Sequence, residues 1–216
     1  MKHHRSKFLS LAVLFYIYCS PSQLLAGLPT DHLRQTADKV LLILQDPRLK
    51  STDMREERNN QLRQVISARF DFQAMAQSSL GPHWQRRAAE ERRDFVELFT
   101  DLVERTYADQ IAAYDGEKIA YGRETQDKDF AEVDTKIITN KGQEFSVNYK
   151  LRSSDREWKV YDVVIENISL VNNYRSQFHR VLANSSFDEL LRRMREKQFA
   201  APQMKGKKIT SQTILR

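Results

Sequence analysis

The feature that most constrains this chain is a change of period. Up to Tyr114 the apolar residues recur at helical spacing; from Lys118 to Glu166 they recur at every second position; from about Ser169 the helical spacing returns. The middle block divides into four candidate strands, Lys118–Thr125, Ala131–Thr139, Glu144–Arg152 and Trp158–Glu166. Their connections, "QDKD", "NKGQ" and "SSDRE", are short and rich in turn formers. Connections that short join only antiparallel neighbours, because a parallel crossover needs a dozen residues or more. The third strand alternates most clearly, with Phe145, Val147, Tyr149 and Leu151 on one side and Ser146, Asn148 and Lys150 on the other. Helices, then a meander, then helices describe an α+β fold: a four-stranded antiparallel curved sheet packed against several helices.

The helical segments carry boundary signals. Thr30 reads as an N-cap before "DHLRQTADKVLLILQ", which Asp46-Pro47 ends. Asp53 and Glu56 form a candidate capping box for a second helix bearing Leu62, Val65, Ile66 and Phe70. "DFQAMAQSSLGPHW" is a shorter helix stopped by Gly81-Pro82. The longest helix runs from about Ala88 to Tyr114, and Ser186…Glu189 caps the last.

The ends differ from the body. Met1–Lys7 is basic, Phe8–Tyr18 is apolar but too short to cross ~30 Å of hydrocarbon, and Ala26 is a suitable last residue before cleavage. Residues 1–26 therefore read as a secretory signal peptide, leaving no stable membrane anchor. Cys19, the single cysteine, lies inside it, and Tyr18 occupies the place where lipoprotein acylation needs a small residue. The exported chain is expected to have no thiol and no disulfide. The formal net charge of +6 arises at the termini. Lys2, Arg5 and Lys7 sit in the leader, and Lys197, Lys205, Lys207, Lys208 and Arg216 in an acid-free tail. Without them, bases are slightly fewer than acids, which argues against a nucleic-acid surface on the folded body. Residues 27–199 are expected to form a single domain and 200–216 a basic tail.

Catalytic signatures are absent from the sequence: there is no GxGxxG, P-loop, HExxH or GxSxG pattern. His32, His83 and His179 are too scattered to suggest a metal site. Asp162 and Glu166 form a carboxylate pair by spacing, yet both fit the solvent side of a strand. The positive signal is an apolar excess on facing elements. The long helix offers Phe95, Phe99, Leu102, Val103, Tyr107 and Ile111. The strands offer Val133 and Ile137, then Phe145, Val147, Tyr149 and Leu151, then Val163 and Ile165. The following helix adds Val171, Tyr174 and Phe178, with Asn172, Asn173 and Arg175 on its outer side. Periodicity favours an ordinary core made by these residues; an apolar ligand would occupy a gap among the same side chains, and periodicity does not register a gap.

Two blocks carry a resemblance. "FDFQAMAQSSLGPHWQRRAAEERRDFVELFTDLVERTYADQIAAYDGEKIAY" and "EFSVNYKLRSSDREWKVYDVVIENISLVNNYRSQFHRVL" resemble the MlaC family, also called toluene-tolerance Ttg2D proteins, over roughly Leu33 to Met194. The resemblance implies a periplasmic, non-enzymatic phospholipid carrier that maintains outer-membrane lipid asymmetry. It would act as a monomer and exchange lipid with the MCE-domain subunit of an inner-membrane ABC transporter and with an outer-membrane lipoprotein–porin complex. It implies an apolar cavity between sheet and helices, lined by the residues above, with Arg175 either meeting a headgroup phosphate or tying down a corner. No cofactor, metal or nucleophile is needed. At about 0.8 kcal/mol per methylene, two acyl chains with ~30 methylenes would cost on the order of 24 kcal/mol to expose to water, so a carrier must bury both. The competing readings are an NTF2-like enzyme using the same cavity for a small substrate, and a carrier of another lipid such as a hopanoid.

Overall fold

The computed structural model describes residues 28–155 and 157–200. The expected signal peptide, residues 1–26, and nearly all of the expected basic tail, residues 200–216, lie outside the described residues. Six helices surround one antiparallel sheet: α1 (Pro29–Gln45), α2 (Arg55–Arg69), α3 (Phe72–Leu80) and α4 (Ala89–Ala112) precede it, and α5 (Leu170–Leu182) and α6 (Phe187–Arg195) follow. The strands are β1 (Lys118–Asp127), β2 (Phe130–Ile138), β3 (Glu144–Ser154), β4 (Glu157–Ile165) and β5 (Ile168–Ser169), paired in sequence order. The sheet thus has five strands where four were expected. The fifth is a two-residue return after Glu166 and Asn167, whose φ values of 47° and 66° form the tight turn that suits a twisted hairpin.

Two bulges adjust which side chains face the helices. In β4 the pairing moves from Lys150↔Asp162 to Leu151↔Val160, so Tyr161 is the extra residue. That single insertion puts Trp158 and Val160 on the same face as Val163 and Ile165, which strict alternation would not. In β1 the register shifts between Tyr121 and Glu124. Gly122 suits this bulge because a Cβ there would lie 3.3 Å from the Asp134 carbonyl oxygen. The shift places Glu124 opposite Val133, on the inner face.

Glu124 then does what a local cap does elsewhere. Its carboxylate accepts from the Thr30 backbone N–H (2.8 Å) and the Thr30 hydroxyl (2.5 Å). Thr30 is therefore not the N-cap of α1; Leu28 holds that position without a side-chain bond, Pro29 opens the helix, and the sheet satisfies an otherwise orphaned N–H. The Asp53–Glu56 capping box also gives way: Thr52–Met54 is a 3₁₀ turn, and α2 begins directly after it at Arg55 with Met54 in the N-cap position. The caps of α5 and α6 are local. Ser169 accepts from the Asn172 N–H, and Ser186 from the Glu189 N–H.

The closed core lies beneath α3, α4, α5 and α6. Phe95 and Phe99 are fully buried and meet Phe178 edge-on, with centroids 5.6 and 6.3 Å apart; Phe99 also meets Tyr174 at 5.7 Å. Tyr174 and Phe178 meet the Phe95 and Phe99 rings of α4, and α5 also lies against β4. Asp162, expected on the solvent side, is buried at 7 % exposure and accepts from the Ser169 hydroxyl (2.7 Å) and the Val171 N–H (3.1 Å). It ties the β4–β5 hairpin to the start of α5. Glu166 sits just beyond, its carboxylate accepting from the Ser146 N–H at 2.7 Å.

Candidate functional site: an apolar cavity

Away from that core, the helices stand off the sheet and leave a cavity of about 560 Å³. The volume lies within the range of small-molecule pockets. Its wall is overwhelmingly apolar. The sheet contributes Ile119 and Tyr121 from β1, Ile137 from β2, Phe145, Val147 and Tyr149 from β3, and Val163 and Ile165 from β4. Opposite them stand Leu33, Val40, Leu41 and Leu44 of α1, Leu62 and Ile66 of α2, and Val103, Tyr107 and Ile111 of α4.

The long helix α4 explains why cavity and core adjoin. Its first half inserts Phe95, Phe99 and Leu102 among α3, α5 and α6, whereas Val103, Tyr107 and Ile111 in its second half border the open space. Nine of the seventeen apolar residues selected from sequence line the cavity: Val103, Tyr107, Ile111, Ile137, Phe145, Val147, Tyr149, Val163 and Ile165. The other eight, Phe95, Phe99, Leu102, Val133, Leu151, Val171, Tyr174 and Phe178, are buried in the adjoining core, where neighbouring side chains already fill the space. Arg175 is not in the wall. Its Nε donates to the Ser78 carbonyl oxygen at 2.8 Å, at the end of α3, and its side chain passes Gly81. It holds the corner.

Most of the wall residues that sequence reasoning left out come from α1 and α2, and Ile119 and Tyr121 of β1 are further omissions. The helical stripes, Leu33, Val40, Leu41 and Leu44 with Leu62 and Ile66, were visible as helical periodicity, but nothing in that pattern indicates that the stripes face a gap.

Electrostatics reinforce the apolar reading. Burial pushes the Tyr149 hydroxyl up to about 12 and raises Tyr107 and Tyr121, so all three are neutral phenols at any physiological pH. Burial also raises the Glu104 carboxyl, opposed by Arg63, whose Nε lies 2.8 Å from it. His83 and His179 approach with ring centroids 5.8 Å apart, but no group of three metal-ligand side chains occurs among the described residues. No helix among them is long and apolar enough to cross a membrane.

Fold and site together define an α+β protein built around one apolar pocket between a meander and its covering helices. The MlaC protein family matches residues 34–196, and the chain belongs to that family. It is similar to the intermembrane phospholipid transport system binding protein MlaC of Haemophilus influenzae, 24 % identical over 169 residues, covering 76 % of this chain and 79 % of the relative. It is also similar to toluene tolerance protein ttg2D of Pseudomonas putida, 24 % identical over 129 residues, covering 59 % of this chain and 60 % of that protein. Among solved structures, the phospholipid-binding protein of Ralstonia solanacearum, in complex with a phospholipid, superposes with a TM-score of 0.71 at 26 % identity. The match covers 79 % of this chain and 97 % of the other.

Proposed function

We propose that this protein is a periplasmic, non-enzymatic carrier that takes a two-chain glycerophospholipid into the cavity and shuttles it between the outer and inner membranes. The observation that carries the reading is the wall itself: apolar residues from three helices and four strands border a cavity of about 560 Å³. Such a surface matches acyl chains, whose transfer from water is favourable by about 0.8 kcal/mol per methylene. No bond is made or broken, so loading and release depend only on the relative stability of the tails in the cavity and in a partner. The partners are an outer-membrane lipoprotein–porin complex and the MCE-domain subunit of an inner-membrane ABC transporter. Direction is then set by their energetics. The name of the Haemophilus influenzae relative and the phospholipid in the Ralstonia solanacearum protein support the same reading.

The test is transfer. Donor vesicles carrying a fluorescent phospholipid and unlabelled acceptor vesicles are separated by a membrane permeable to the protein. The carrier reading predicts transfer that scales with protein concentration, and a rate equal to that of a protein-free control would overturn it.

A further inference from the structure

Three arginines border the cavity, and they differ in what neutralises them. Arg63 is paired with Glu104 at 2.8 Å, and Arg105 with Asp101 at 3.0 Å. Arg69, in the last turn of α2, has only uncharged partners. Its Nε donates to the Thr36 hydroxyl at 3.1 Å, and its Nη1 donates to the Trp158 carbonyl oxygen at 2.5 Å and contacts His32 Nδ1 at 3.1 Å. His32 Nδ1 also lies 3.4 Å from the Trp158 N–H. With donors on both sides, Nδ1 is the lone-pair nitrogen and the ring is neutral. Burial first, and the Arg69 charge second, lower the His32 pKa, which agrees with that tautomer. The acid that acts on Arg69 from further away, Glu157, has its own partner in Lys159 at 2.9 Å.

Arg69 is thus a half-buried guanidinium in a largely apolar wall, with no acid in direct contact and its Nη2 without a protein partner among the described residues. A partly desolvated cation without a counter-charge is unfavourable, and an oxyanion placed against it relieves that. We propose that Arg69 is the anion-binding residue of the cavity, its Nη2 donating to a phosphodiester oxygen of the bound lipid while Thr36, His32 and Trp158 hold the guanidinium in place. This rests on the carrier reading above and refines it: the ligand is selected by its phosphate as well as its chains.

The experiment compares two lipids with the same chains, dioleoyl phosphatidylglycerol and dioleoylglycerol, taken up from vesicles of otherwise neutral lipid by the wild type, R69M and R69K. A hydrogen bond to a charged group corresponds to a preference on the order of tenfold or more. The expected result is that the wild type prefers the phospholipid by at least that factor, R69K keeps a reduced preference, and R69M, checked for native circular dichroism, takes both alike. A wild type that loads both equally, or an R69M that keeps the wild-type ratio, overturns the anion site and leaves the carrier reading standing. A wild type that loads neither lipid overturns both. Where R69M does not fold, R69K decides: an undiminished wild-type ratio in R69K overturns the assignment to Arg69.

Discussion

The two halves of α4 have the same amphipathic pattern and opposite surroundings. Phe95 and Phe99 are fully buried among the rings of α5 and the side chains of α6, while Tyr107 and Ile111 face empty space. The difference comes from what stands opposite. The first half meets two helices joined by the short Ala183–Ser186 connection, which brings large side chains close. The second half meets α1 and α2, held to the sheet mainly near the Thr30–Glu124 and Arg69–Trp158 contacts. Rigid packing on one side and a propped-open gap on the other let one small domain be both stable and able to take in a ligand.

The strongest challenge to this contrast is a pair of truncations. Phe99→Ala should cost about 3–5 kcal/mol in urea unfolding, as expected for a filled core, whereas Ile111→Ala should cost a fraction of that. Equal losses would mean that the cavity is packed as tightly as the core. Next, Val147→Asp puts a carboxylate in the apolar wall and should weaken phospholipid loading on the order of a hundredfold with native circular dichroism retained. Undiminished loading would place the ligand against another surface.

These contrasts mark how far the sequence could be read. The period change at Lys118 and the turn-rich connections were enough for the meander, because alternation and short loops leave few other arrangements. The fifth strand was not legible, since two residues are too few to show a period. The bulge at Tyr161 hid the inward face of Trp158 and Val160 for a related reason: one inserted residue reverses the phase. Residues such as Phe99 and Tyr107 are equivalent in pattern, and only the three-dimensional arrangement separates the core from the wall. Asp162 looked like a solvent-facing strand residue because its partners, Ser169 and the Val171 N–H, meet it only once the hairpin has turned.

That carboxylate gives a smaller prediction. Asp162→Ala leaves the Val171 N–H without its acceptor and should cost about 1–3 kcal/mol, while Asp162→Asn, which keeps an acceptor oxygen, should cost less; thermal melting distinguishes them. The smallest effect concerns pH. The lowered His32 pKa means that its contribution to stability is present above the ordinary value of 6.5 and is lost as pH falls through its folded-state value. His32→Asn should therefore lose less stability than the wild type on going below pH 6.5, measured by urea titration at several pH values. An unchanged slope would mean that burial and the Arg69 charge do not lower the His32 pKa in the folded protein.

The central claim is that the gap beside the packed core holds a two-chain phospholipid. Native mass spectrometry of the protein, purified without detergent, measures this directly. The account predicts a bound mass that fragments to a glycerophospholipid with two acyl chains and disappears in Val147→Asp. Protein that is free of lipid, or that carries a small polar molecule in its place, would contradict it.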